Sequence, residues 1–271
     1  MSIGAAVGQG LPQHVRTAFG VRDATPQPVL CAGVRAWRCG DIVIRPVADA
    51  AIAAWSAGVL DGLTADGLRL AQPVRSSDGR WIVAGWSAAR YLPGTPQPRH
   101  DETVQASLTL HEAMLGVTRP RLLDDRDDLV ARADAAAWGE RRIMLDQAAG
   151  GALFDELAAK RKPMPLPAQV VHAELFGSVL FHDDEPPAVL DLVPFWRPFQ
   201  WAAAVVVVDA LAWGGADPDI LLRWAHLDGW PQCLLRAVLY RLALHAQHPA
   251  ASLESLRGLE RTAALVGTRL R

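Results

Sequence analysis

The stretch VVHAELFGSVLFHDDEPPAVLDLVPFWRP, residues 170–198, sets polar residues into short apolar runs at particular places. VVHAEL–VLFH and AVLDLVP read as two short strands, with the acidic, Pro-rich DDEPP turning the chain between them. His172 and Glu174 close the first run, Ser178 opens the next segment, and Asp191 ends the last run, 17 positions after Glu174. A histidine, a carboxylate two places on, a small polar residue and a later carboxylate make an ordered set rather than a random surface loop.

Helical patterns flank this stretch. TVQASLTLHEAML, DLVARADAAAW and DELAAKRK precede it. FQWAAAVVVVDALAWGG, DILLRWAHL, QCLLRAVLYRLALHAQ and a last helix over 253–265 follow it. Residues 28–85 read differently, as β structure with one helix. VLCAGVRAW and DIVIRPV look like a hairpin across RCGD, and LRLAQPVRS and RWIVAGWS like two strands across SDGR. Between these pairs, Ile52, Trp55, Val59, Leu60 and Leu63 recur at helical spacing after Asp49, a candidate N-cap. A five-stranded sheet results if the N-terminal stretch adds a strand. Pro93, Pro96 and Pro98 mark the clearest break. The expectation is an α+β chain with a small sheet-plus-helix lobe over 1–88 and a larger, mostly helical lobe over 89–271 that carries the hairpin.

Composition excludes several classes of function. The 271 residues are 51% hydrophobic and 21% charged with a net charge of −2, which gives no basic excess for nucleic-acid binding. Cys31, Cys39 and Cys233 are an odd number without metal-site spacing, so a reducing, cytoplasmic setting is expected. The first residues lack the charged start and sustained apolar core of a signal peptide. The longest apolar run, 201–208, is far short of the ~20 residues a bilayer requires. No GxSxG or GxxxxGK[ST] motif occurs. Lysine stands only at 160 and 162, so 25 of the 27 basic residues are arginine, and asparagine is missing altogether.

The ordered loop resembles that of the aminoglycoside phosphotransferase family, the antibiotic- and choline-kinase-like branch of the protein-kinase fold. That family's loop reads His-Gly-Asp-Leu, then Asn-Val-Leu, and after a hairpin Ile-Asp. Matching positions here are His172-Ala173-Glu174-Leu175, Ser178-Val179-Leu180 and Leu190-Asp191. Trp196, Arg197 and Pro198 also match a Trp-Arg-Pro motif of an actinobacterial branch. The resemblance implies a two-lobed kinase-like fold, with DIVIRPV as the third strand of the nucleotide-binding lobe. It further implies Glu174 as catalytic base in a loop organised by His172, and Asp191 and Ser178 as magnesium ligands. Arg45, Gly33 and Trp86 would contact an ATP or GTP molecule.

Phosphoryl transfer needs the γ-phosphate held in line, its charge neutralised by metal, and the attacking hydroxyl oriented by a carboxylate. Against that requirement the sequence is altered. Arg45 stands where the family has lysine, Glu174 where it has aspartate and Ser178 where it has asparagine. No acid lies between Asp49 and Asp61 to hold the strand's cation. Arginine is a planar fork rather than a point charge, and a one-methylene change shifts near-attack geometry. Two functions therefore stay open. One is a phosphotransferase acting on a small hydroxyl compound with Mg²⁺ and ATP or GTP. The other is a pseudokinase serving as a scaffold or regulator with a protein partner. Neither implies nucleic acid or membrane.

Overall fold

The computed structural model describes residues 10–31 and 33–270. They fall into two compact units. The first takes in the chain up to Gln97 with Glu112–Val117 and Gly177–Pro194, and the second takes in Pro98–His111, Thr118–Phe176 and the chain from Phe195 onward.

In the first unit, α1 (Gln13–Ala18) precedes β1 (Gln27–Cys31), β2 (Val34–Cys39) and β3 (Ile42–Pro46), all antiparallel neighbours. After α2 (Ala50–Asp61) come β4 (Arg69–Leu70), β5 (Pro73–Val74), β6 (Ile82–Val83) and β7 (Trp86–Arg90). The main sheet runs β1-β2-β3-β7-β5, with β6 on β7. Its apolar face closes over α1, burying Val15, Phe19, Ile42, Ile44, Val83 and Trp86. The N-terminal stretch thus supplies a helix where a strand is expected. Val15 and Phe19 lie four apart on one helical face, and that face is what the sheet needs covered.

Two expected single strands are hairpins. VLCAGVRAW folds back on itself, since Cys31 pairs with Val34 and Gly33 sits at φ +75°. RWIVAGWS does the same, with Val83 paired to Trp86 and Ala84 and Gly85 at φ +50° and +82°. Positive φ at both central positions is the signature of the tight turn that matches strand twist. Asp49 caps α2 as expected, accepting from the Ala51 and Ile52 amides at 2.8 and 2.9 Å. A second, small sheet joins β4 in parallel to β10 (Ala188–Val189), which pairs antiparallel with β9 (Val179–Leu180).

The second unit holds most of α3 (His100–Ala113), then α4 (Leu129–Trp138), α5 (Ala152–Ala158) and a ribbon of β8 (Gln169–His172) with β11 (Pro194–Arg197). It ends with α6 (Phe199–Trp213), α7 (Ile220–Arg223), α8 (Trp230–Gln247) and α9 (Leu253–Gly267). Trp201–Ala210 is buried on every side. A helix apolar all round belongs at the centre of a helical core, and α6 packs there against α8 and α9. No described helix is long and apolar enough to cross a membrane.

Close approach of α9 to α6 depends on Gly258, where an added Cβ would run into the Ala212 carbonyl oxygen. That atom is backbone and has nowhere to go. Gly258→Ala is expected to cost about 2 kcal/mol despite alanine's better helix propensity, because overpacking outweighs it. A urea midpoint equal to or above the parent's would contradict this.

Candidate functional site

β3 sets Arg45 opposite Ser87 of β7. Its Nη1 donates to Asp191 Oδ2 at 2.7 Å, with the two side chains 26% and 13% exposed. Burial pulls the Arg45 guanidinium down, and Asp191 and Cys31 more than reverse this, so it stays charged. Burial also raises the Cys31 thiol, against the opposing charge of Arg45. The cation expected on nucleotide phosphates and the carboxylate expected on metal are therefore partners of each other. Asp49, at the start of the helix after β3, is occupied as a helix cap.

Beside Arg45 lies a cavity of about 330 Å³ in the same unit. Val29, Val43, Ala89, Leu180 and Leu190 give it apolar walls, and Gly33 and Cys31 border it. Trp86, expected to border a base, is buried in the sheet core edge-on to Trp37 and is not among the lining residues. Gly94 lines the cavity at φ +133°, where a Cβ would meet the Phe181 carbonyl at 2.9 Å. Two backbone hydrogen bonds join Thr95 to Phe181 there, seaming the segment after β7 onto the end of β9. Ser178 follows Gly177 (φ +73°) and is 3% exposed.

His172 and Glu174 belong to the second unit, just past β8. The His172 amide donates to His111 Nε2 at 2.9 Å, and His111 Nδ1 lies 3.3 Å from Ser107 Oγ. An accepting Nε2 requires the proton on Nδ1. Burial, then the neighbouring His172, depresses His111 to about 3, so it remains neutral.

Glu174 takes hydrogen bonds from Tyr240 Oη at 2.5 Å and from Arg241 Nη1 at 2.9 and 3.1 Å. Arg241 also grips Asp209, through Nε to Oδ1 at 2.7 Å and through Nη2 to Oδ2. Arg241 is 5% and Asp209 2% exposed. Burial pushes Glu174 up, but Arg241 and Tyr240 prevail and hold it below the ordinary carboxylate value. Asp209 shares the same guanidinium with Glu174, and burial drives it up to about 6. Tyr240 is raised well above 10, again first by burial, and stays a donor.

Sequence reasoning missed Tyr240, Arg241 and Asp209. The available signal was one acid in VVVVDALAW and one arginine in LYRLAL, each alone in its apolar segment. Charges are fully buried only in pairs, so two such isolated charges predict each other. Arg197 of the Trp-Arg-Pro motif is similarly spent. It bridges Asp134 of α4 at 2.9 Å and Glu140 at 2.6 Å, with its guanidinium 4.6 Å from the Trp138 ring centroid. The acidic run at 124–128 is matched by arginines, with Asp124 on Arg119, Asp127 on Arg141 and Asp128 on Arg126. His245 contacts the Ala149 carbonyl and Ser255 Oγ.

A hairpin-built sheet with one long helix after its third strand, followed by a helical unit with the loop before β9, defines a protein-kinase-like fold. Solved aminoglycoside phosphotransferase and choline kinase structures share this fold. No family model matches the chain, and no curated protein sequence does. Solved structures do match. Aminoglycoside phosphotransferase APH(4)-Ia, as a thermostable mutant in ternary complex with AMP-PNP and hygromycin B, is 15% identical, with a TM-score of 0.58 over 95% of this chain and 98% of that one. A choline/ethanolamine kinase family protein from Mesorhizobium loti is 16% identical, with a TM-score of 0.54 over 93% of each chain. Choline kinase LicA from Streptococcus pneumoniae is 8% identical, with a TM-score of 0.55 over 94% and 98%. At these identities the likeness is one of fold.

Proposed function

We propose that this protein is a catalytically silent kinase-fold binding protein, a scaffold or regulator that holds a nucleotide-type ligand in the cavity beside Arg45. The observation that carries this reading is the engagement of Glu174. A general base must have a lone pair directed at the hydroxyl it deprotonates, within ~3 Å of it. The Glu174 carboxylate instead receives both a phenol and a guanidinium, which lower its basicity and fix its direction. Magnesium fits the arrangement poorly. Asp191 is neutralised by Arg45, and among the described residues no three His, Cys, Asp or Glu side chains gather as a metal site. The AMP-PNP bound by the phosphotransferase neighbour supports a nucleotide-type occupant for the cavity.

The rival reading is a phosphotransferase acting on a small hydroxyl compound, with Glu174 as base and Asp191 and Ser178 at the metal. Its support is that both loop positions still carry carboxylates. Incubation with Mg²⁺ and ATP or GTP, plus a panel of amino alcohols and aminoglycosides, separates the two. Nucleoside diphosphate release is expected to stay at the protein-free blank. Release that disappears in both Asp191→Ala and Glu174→Gln would establish the transferase.

A further inference from the structure

Charge on the cavity wall decides what kind of ligand it accepts. Two lining residues are cationic, Arg45 and Arg90. Each already faces a carboxylate, Arg45 that of Asp191 and Arg90 that of Asp41. Cys31, whose thiol is influenced by the Arg45 charge, is also on the wall. The rest of the lining is chiefly aliphatic, with Val29, Val43 and Leu180 among it. A wall of this kind is electrically balanced before any ligand arrives.

The strand connection points the same way. Polyphosphates are cradled by runs of backbone N–H groups in glycine-rich loops. Cys31 pairs with Val34, so just two residues separate β1 from β2, and one of them, Gly33, borders the cavity. Among the described lining residues, a polyphosphate tail there would find few amide donors and no uncompensated cation. It would also bring negative charge against Asp191, whose carboxylate is 13% exposed and poorly screened. The volume of about 330 Å³ lies at the small end of ligand pockets.

From these features we infer that the cavity selects an uncharged, flat ligand of nucleoside size, a base with its sugar, and binds it without metal, discriminating against the triphosphate. This rests on the reading of the cavity as a nucleotide-type site. Asp191 is then a specificity residue: by occupying Arg45 it keeps phosphate out.

The test is a titration of the whole protein with adenosine, guanosine, ATP and GTP, each with Mg²⁺ and with EDTA, followed by calorimetry and thermal shift. One nucleoside is expected to bind saturably, with its triphosphate about tenfold weaker or more and neither affected by Mg²⁺. Asp191→Asn, which keeps size and releases Arg45, is expected to strengthen triphosphate binding roughly fivefold or more relative to nucleoside binding. Tighter binding of the triphosphate than the nucleoside, or binding that needs Mg²⁺, would overturn the inference while leaving a nucleotide site in place. Failure of all four compounds to bind would overturn the inference and the nucleotide-type reading of the cavity together.

Discussion

Replacing Arg241 with methionine is expected to lower the stability of the protein by about 3–5 kcal/mol, the largest effect of any single substitution considered. The reason is the pair of carboxylates it serves. Asp209 is 2% exposed in an otherwise apolar helix and Glu174 is half-buried, and both direct oxygens at one guanidinium. Without it, Asp209 must either ionise unpaired in the core or take up a proton, and the loop at Glu174 loses its anchor on α8. The effect comes from stranding partners, not from net strength in the ion set. Changing all three together, Arg241→Met with Asp209→Leu and Glu174→Gln, is therefore expected to recover most of the loss, since Tyr240 keeps an acceptor and the core gains apolar volume. Urea titrations at constant m-value measure both. A loss under ~1 kcal/mol for the single variant would show that the network does not hold the loop.

The second large effect is a fall in stability on acidification. His111 is fully buried and depressed from 6.5 to about 3, so between those values the unfolded chain binds a proton that the folded chain refuses. Its contribution is complete above pH 6.5 and drains away as pH falls toward 3. At roughly 1.4 kcal/mol per unit, the ceiling is on the order of 5 kcal/mol. Glu174 acts with the same sign, because its depressed value means stability that is present above 4.5 and lost as pH falls through the folded value. Asp209 opposes them: raised from 3.8 to about 6, it is protonated first in the folded state and adds stability as pH drops through that window. The net result is a decline smaller than the ceiling. His111→Gln, which can accept from the His172 amide without titrating, is expected to flatten the slope between pH 6.5 and 4. An identical slope in parent and variant would remove His111 as its cause.

The sequence carried the helices and the order of the loop well, because long periodic runs and a His-x-Glu pattern are local signals. It carried the first unit less well. The Ala-Gly at 84–85 is read as strand because the usual hairpin marker, asparagine before glycine, is unavailable in a chain without asparagine. α1 is too short for periodicity to declare, and the sheet face it covers decides it. The candidate residues were legible as types but not as pairs. That Arg45 would meet Asp191, 146 positions away, or that Glu174 would meet Arg241, is long-range information that no local pattern contains. Trp86 illustrates the converse: its place before the connector suggested a ligand contact, yet alternation along β7 turns it into the core.

The central claim is that Asp191 serves a guanidinium rather than a metal. Manganese is a spectroscopic stand-in for magnesium, and its free electron paramagnetic resonance signal disappears on binding. Titrating Mn²⁺ into the protein with ATP present should give the same loss of signal as ATP alone, with no further protein-dependent binding. Additional Mn²⁺ binding that requires both protein and nucleotide, and vanishes in Asp191→Ala, would contradict the account.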